Sequence, residues 1–233
     1  MFNLIHGDCL NEMRKMPEKS IDCIITSPPY NIGQMHSNRI RYGSYQGNDM
    51  HEKEYQEWQI DFLNECYRIL KDDGYMFYNH KPRIKNGGCI HPMEWILKSK
   101  FCLKQEIVWD MGKSANCDKI RFFPFSERVY WLAKNKNTKI YNSLNLSDVW
   151  RCVPKNNRKK NKHIAVMPEY IVECILKSIP KDDFIVLDPF MGIGTTGVVC
   201  LKLFKSFIGI EIDESSYNIS KERLQEIENE RKN

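Results

Sequence analysis

Two short runs in this chain, Cys23-Ile-Ile-Thr26 and Phe184-Ile-Val-Leu187, are apolar almost throughout. A strand exposed on one side alternates polar and apolar residues. A strand with no polar side is covered on both faces, as in a parallel sheet sandwiched between helices. Further strand patterns are read at Asn3–His6, Ile21–Thr26, Tyr75–Asn79, Phe101–Trp109, Glu127–Ala133, Phe184–Asp188 and Ser206–Glu211. Helical spacing separates them. Tyr55, Trp58, Phe62, Cys66 and Ile69 form one stripe, with Asp49 and Glu52 placed to cap its start. Pro168 opens a second helix with Ile171, Val172, Ile175, Leu176 and Ile179 on one face. A third helix follows Gly192 and Gly194, and a last one starts near Ser215 and runs into a charged tail. Strand and helix in alternation predict an α/β fold, a doubly wound sheet of seven mostly parallel strands.

The chain has 233 residues, 42% of them hydrophobic, which suits one domain over 1–233 around one core. The net charge of +5 is compatible with a nucleic-acid partner without requiring one. Nine cysteines are scattered with no C-x-x-C pair, so no zinc knuckle or redox dithiol is expected, and no metal. Free thiols inside apolar runs fit a reducing compartment, read as the cytoplasm. No apolar run is long enough to span a bilayer, and no membrane partner is expected.

Two stretches lack periodicity. Residues 34–50 are polar and contain glycine, and residues 141–163 become strongly basic. Loops of that length in a compact domain are candidates for function. The wider segment 134–163 is read as an insertion.

Phe184-Ile-Val-Leu-Asp188-Pro-Phe-Met-Gly192-Ile-Gly194-Thr-Thr-Gly197 reads as strand, tight turn and helix. Its glycines let backbone approach a ligand, and Thr195 or Thr196 is placed to cap the helix. Gly192, Gly194 and Gly197 also spell the dinucleotide fingerprint G-x-G-x-x-G, with Glu211 ending the next strand, so an NAD-dependent oxidoreductase is an alternative. Against it, Asp188-Pro189-Phe190-Met191 separates the strand from the glycines. A carboxylate there repels a pyrophosphate and pairs with an ammonium group.

The strand Ile21–Thr26 runs into Ser27-Pro28-Pro29-Tyr30. Two prolines can continue neither a ladder nor a helix, so the chain takes a fixed extended turn whose carbonyls can face a ligand beside the Tyr30 ring. Rigid acceptors next to an aromatic face suit an amino-bearing base. Its amino nitrogen is a weak nucleophile because the lone pair is delocalised. The Ser27 hydroxyl and Pro28 carbonyl could hold the amino hydrogens out of plane and aim the lone pair at a methyl donor.

Together the two segments resemble the amino-methylating DNA methyltransferases, which pair a Ser/Asp/Asn-Pro-Pro-Tyr motif with Asp-Pro-Phe-x-Gly-x-Gly-Thr-Thr. Here these read Ser27-Pro28-Pro29-Tyr30 and Asp188-Pro-Phe190-Met-Gly192-Ile-Gly194-Thr195-Thr196. The first motif precedes the second, the β-type circular order. The resemblance implies a circularly permuted S-adenosylmethionine-dependent methyltransferase fold, with S-adenosylmethionine as cofactor. Asp188 then faces its methionine moiety, Glu211 the ribose and Asp8 of His6-Gly7-Asp8 the adenine, while the helix from Pro168 packs beside the methionine end. Serine before Pro-Pro is typical of enzymes acting on cytosine N4, whereas adenine-N6 enzymes, the alternative, usually carry Asp or Asn. Carbon-5 methylation is disfavoured because the Pro-Cys dipeptide of that chemistry is absent.

Arg151, Lys155, Arg158, Lys159, Lys160 and Lys162, interleaved with asparagines, fall where β-type enzymes carry target recognition, and they are candidates for binding double-stranded DNA. Arg39 and Arg41, after Tyr30, are a second set, and His80-Lys81-Pro82 is placed to line the target pocket. Such an enzyme works as a monomer or homodimer, and a cognate restriction endonuclease is an implied partner.

Overall fold

A computed structural model describes residues 1–32, 50–112, 122–153 and 166–231. In chain order the elements are β1 (Phe2–His6), α1 (Cys9–Arg14), β2 (Ile21–Thr26), α2 (Glu52–Ile69), β3 (Leu70–His80), β4 (Arg83–Lys85), β5 (Gly88–Ile90), α3 (Met93–Ile96), β6 (Cys102–Asp110), β7 (Ser126–Ala133), β8 (Val149–Arg151), α4 (Glu169–Lys177), β9 (Ile185–Asp188), α5 (Thr195–Lys202), β10 (Ser206–Glu211) and α6 (Glu214–Glu230).

The main sheet runs β1-β10-β9-β2-β3-β7-β6-β8, and β4 with β5 makes a separate hairpin. Within the main sheet the pairings are parallel except the two made by β7, which enters antiparallel between β3 and β6. The strand carrying the glycine turn, β9, is followed by β10, and the next position is filled by β1 from the start of the chain. This is the permuted order. The sheet has eight strands rather than the seven read from the sequence. The additional one, β8, has three residues and lies in the stretch read as irregular, too short to show a period.

Alternation along each strand sorts side chains onto two faces. Cys23 and Ile25 of β2 and Phe77 of β3 join Ile171, Val172, Val198 and Leu224 under α4, α5 and α6. Ile24, Met76 and Leu187 point the other way, onto Leu10, Met13, Trp58, Phe62 and Leu63 of α1 and α2. On the strands of the main sheet, buried polar side chains such as Asp22, Thr26, Asn79, His80, Glu127 and Asp188 fall at or next to the ends. The cap expected at the start of α2 is different: its N-cap is His51 with no side-chain hydrogen bond. Glu52 instead forms a two-pronged ion pair with the buried Arg83 guanidinium, at 2.8 and 3.0 Å. Asp49 lies outside the described residues.

Candidate active site

Parallel register brings the carboxyl ends of β1, β10, β9, β2 and β3 to one rim, where His6 pairs with Glu211, Gly209 with Asp188, Ile24 with Leu187 and Thr26 with Tyr78. Because β9 and β2 are neighbours, the glycine turn and the double-proline turn leave the sheet side by side. Helix α2 touches both. Its Tyr55 hydroxyl donates to the Pro29 carbonyl at 2.7 Å, and its Trp58 and Phe62 rings pack on Phe190 at 5.9 and 5.1 Å between centroids.

The glycine turn is built around Asp188, which is 4% exposed. One of its oxygens accepts the Phe190 N–H at 3.1 Å and the other the Thr196 hydroxyl at 2.6 Å. Burial outweighs these bonds and pushes its pKa up to about 6. The threonines do not cap α5 as the sequence suggested: Gly194 is the N-cap, Thr196 is turned back onto Asp188, and the Thr195 hydroxyl is buried without a partner. Glu211 braces the same turn, accepting from Gly192 N at 2.9 Å and from Asp213 N at 2.8 Å, and burial also raises its pKa. Asp8 caps α1 through Asn11 N at 2.9 Å. A carboxylate oxygen accepts two hydrogen bonds, so all three acids keep capacity for a ligand.

Two glycines of the turn have opposite surroundings. Above Gly192, at φ +53°, a Cβ would meet nothing within 4 Å, which leaves the backbone open to a ligand. Gly194, at φ +78°, would place a Cβ 2.9 Å from Ser220 Cβ and 3.0 Å from Leu224 Cδ1. Gly194→Ala therefore combines a left-handed backbone with overpacking against α6. A loss of roughly 3 kcal/mol is expected in denaturant unfolding, and a loss under 1 kcal/mol would show that the turn relaxes freely.

The double-proline turn ends in a compact hydrogen-bonded cluster. Ser27 Oγ lies 2.9 Å from Tyr30 OH, and both reach Asn79 Oδ1, at 3.1 and 2.7 Å. Tyr30 OH is also 3.0 Å from Glu127 Oε2. Asn79 Nδ2 donates to the Arg128 carbonyl at 2.9 Å, which fixes the amide with its oxygen towards the hydroxyls. The cluster has two hydroxyl hydrogens for the acceptors Asn79 Oδ1 and Glu127 Oε2. Each way of distributing them turns the Ser27 hydrogen inward, leaving Ser27 an acceptor on its outer side. Burial, with the Glu127 charge adding to it, raises the Tyr30 pKa far above its usual value, so the phenol stays protonated.

Of the turn's carbonyls, read together as free to face a ligand, that of Pro29 is instead the end of a buried chain. Trp95 Nε1 donates to Tyr78 OH, Tyr78 OH to Gln59 Oε1, and Gln59 Nε2 to Tyr55 OH, at 2.9, 2.9 and 2.8 Å. Tyr55 OH also lies 2.7 Å from His80 Nε2. His80 Nδ1 lies 2.8 Å from Lys81 N and 2.9 Å from its carbonyl, and because Tyr55 spends its one hydrogen on Pro29, a donating Nε2 completes the chain. Burial lowers the His80 pKa to about 3, keeping the ring neutral. His80, read as a pocket residue, is thus a fully buried support behind the turn. Lys81 is nearer the site, with Nζ 5.4 Å from the Tyr30 ring centroid and 3.6 Å from Glu127 Oε1.

Asn79 and Glu127 were not singled out from the sequence. Asn79 is the last residue but one of β3, at the rim. Glu127 is harder to find because it opens β7, whose antiparallel direction brings its first residues to the edge where the parallel strands finish. Of the cationic candidates, Arg151 is at this rim on β8, exposed but paired with Asp110 at 2.8 Å. It borders an open cleft of about 650 Å³ whose wall includes Val108, Phe125 and Val149. Arg39, Arg41, Lys155, Arg158, Lys159, Lys160 and Lys162 lie outside the described residues. Among the described residues no cluster of His, Cys, Asp or Glu could hold a metal ion, and no helix is long and apolar enough to cross a membrane.

A doubly wound sheet in this permuted order, with both turns at one rim, has the fold of the S-adenosylmethionine-dependent methyltransferases. The PvuII DNA methyltransferase, described as cytosine-N4-specific, superposes with a TM-score of 0.78 at 19% identity, covering 98% of this chain and 90% of that one. The chain belongs to the DNA methylase family whose model, N6_N4_Mtase, matches residues 21–222. That membership removes the oxidoreductase reading of the glycines. The chain is 29% identical to the type II methyltransferase M.ScaI of Streptomyces caespitosus over 257 aligned residues, 95% of this chain and 81% of the relative. A complex of M1.HpyAVI with SAM matches at a TM-score of 0.66 and 22% identity, over 96% of this chain and all of that one.

Proposed function

We propose that this DNA methylase transfers a methyl group from S-adenosylmethionine to the N4 amino group of a cytosine flipped out of double-stranded DNA. The observation that carries the reading is the Ser27 hydroxyl, held as an outward acceptor on the rim beside the glycine turn. When bound, S-adenosylmethionine supplies an electrophilic methyl group on a sulfonium. The residues present fit it: open backbone at Gly192, the acids Asp188, Glu211 and Asp8 on adjacent strand ends for an ammonium, ribose hydroxyls and adenine, and the Phe190 ring beside them. Ser27, with the Pro28 carbonyl, accepts the amino hydrogens and localises the nitrogen lone pair. Tyr30 offers its ring to the base. A rigid turn with inward hydrogen bonds already made needs little reorganisation during transfer, where preorganised dipoles contribute most.

Arg151 and the basic residues Lys155, Arg158, Lys159, Lys160 and Lys162 in the 134–163 segment are proposed to hold phosphates, with Arg39 and Arg41 as a second set of DNA contacts. Type II relatives favour a role in restriction–modification. The test is mass spectrometry of nucleosides from unmodified DNA treated with the purified protein and S-adenosylmethionine. N4-methylcytosine is expected, and N6-methyladenine alone would overturn the choice of base.

A further inference from the structure

An exocyclic amine that gains a methyl group must lose a proton, and the cluster behind Ser27 contains a route for it. Ser27 Oγ, Tyr30 OH and Glu127 Oε2 follow one another at successive separations of 2.9 and 3.0 Å. Each link is within the range over which a hydroxyl passes its proton along a hydrogen bond. Glu127 is only 9% exposed, yet it is not the turn's sole anchor, since Asn79 Oδ1 lies within hydrogen-bond reach of both hydroxyls. Its other oxygen faces Lys81 Nζ at 3.6 Å, a side chain that is 36% exposed and opens towards water.

We propose that Glu127 receives the proton released by methyl transfer, through the Ser27 and Tyr30 hydroxyls. The proposal rests on the amino-methylation reading above. As the nitrogen lone pair forms the N–C bond, the C–S bond breaks and its electrons stay on sulfur. The amino proton passes to Ser27 Oγ, the Ser27 proton to Tyr30 oxygen, and the Tyr30 proton to the Glu127 carboxylate, which returns it to water on the Lys81 side. Both hydroxyls end neutral, and the net product is one proton in solvent. The groups facing Glu127 are few. Tyr30 comes from the proline turn and Lys81 from the end of β3. Trp109 lies opposite on β6, followed by the Asp110–Arg151 pair, and Arg128 of its own strand turns away to Glu106.

Glu127→Gln keeps the shape and an acceptor oxygen but not the base. With excess enzyme, tritiated S-adenosylmethionine and unmodified PCR-amplified genomic DNA, its single-turnover rate at pH 7.5 is expected to fall about a hundredfold. Cofactor affinity and thermal midpoint should stay at wild-type values. The wild-type rate should level off with rising pH, whereas the variant's should keep climbing as hydroxide replaces the lost base. Tyr30→Phe should break the same route, so the double variant should be no slower than the slower single one. In the ligand-free protein, the ¹³Cζ resonance of labelled Tyr30, which reports what its hydroxyl donates to, should move in Glu127→Gln. A rate within threefold of wild type, a loss with an unchanged pH profile, or an unmoved Tyr30 resonance overturns the proposal alone. Absence of methylation by the wild type overturns the amino-methylation reading, and this relay with it.

Discussion

Asp188→Asn should make the ligand-free protein more stable at pH 7 while weakening S-adenosylmethionine binding by a hundredfold or more. The carboxyl is buried, and its pKa is pushed up to about 6 from 3.8. An acid with a raised folded pKa binds protons more readily folded than unfolded. Its unfavourable contribution is therefore absent below about pH 4, grows up to pH 6 and is constant above, reaching roughly 3 kcal/mol. Asparagine can still accept from Phe190 N and donate to the Thr196 oxygen, without a buried charge. Unfolding in denaturant should show the variant more stable at pH 7, with the gap closing towards pH 4. A gap independent of pH would show that Asp188 is not the group responsible. Binding should run the opposite way, because removing one partner of a buried ion pair costs about 3–5 kcal/mol. In the wild type a cationic ligand competes with the proton at Asp188, so affinity should decline as pH falls below 6. Calorimetry at several pH values reads both effects.

Tyr55→Phe is the second large expected effect. The hydroxyl it removes serves Gln59 Nε2, the His80 ring and the Pro29 carbonyl, all inside the protein. Leaving these groups without a partner should cost about 3 kcal/mol in denaturant unfolding. His80, with its pKa lowered to about 3, binds fewer protons folded than unfolded, and so contributes stability that rises between pH 3 and 6.5. Freed from Tyr55 and reached by water, the ring should titrate nearer its ordinary value, and that slope should flatten in the variant. A stability loss under 1 kcal/mol would mean that water replaces the missing hydroxyl. Because Pro29 also loses its fixed donor, methyl transfer should slow at saturating cofactor.

The sequence made the fold legible where burial on both faces removed polar residues from strands, as in Ile21–Thr26, and where 3.6-residue spacing marked α2. It was silent where an element is too short to have a period, as with β8, α3 and the β4–β5 hairpin. The two motif turns could be read because proline and glycine dictate backbone shape locally. The partners of the turns could not. Glu127 and Asn79 reach Ser27 and Tyr30 through strand pairing, 97 and 49 residues from Tyr30. Nothing in a local pattern distinguishes a buried Glu at a strand's start from one that opens onto water. The threonine caps failed for a related reason: the left-handed backbone at Gly194 supplies the helix start itself, freeing Thr196 to hold Asp188.

Tyr55 and Phe62 stand seven residues apart on α2, and an α-helix rises about 1.5 Å per residue. The gap between the double-proline turn and the glycine turn is thus metered by the pitch of one stiff rod. Inserting a single residue between those two side chains would swing one grip about 100° around the axis, so this spacing acts as a ruler that sets how far apart the two turns are held.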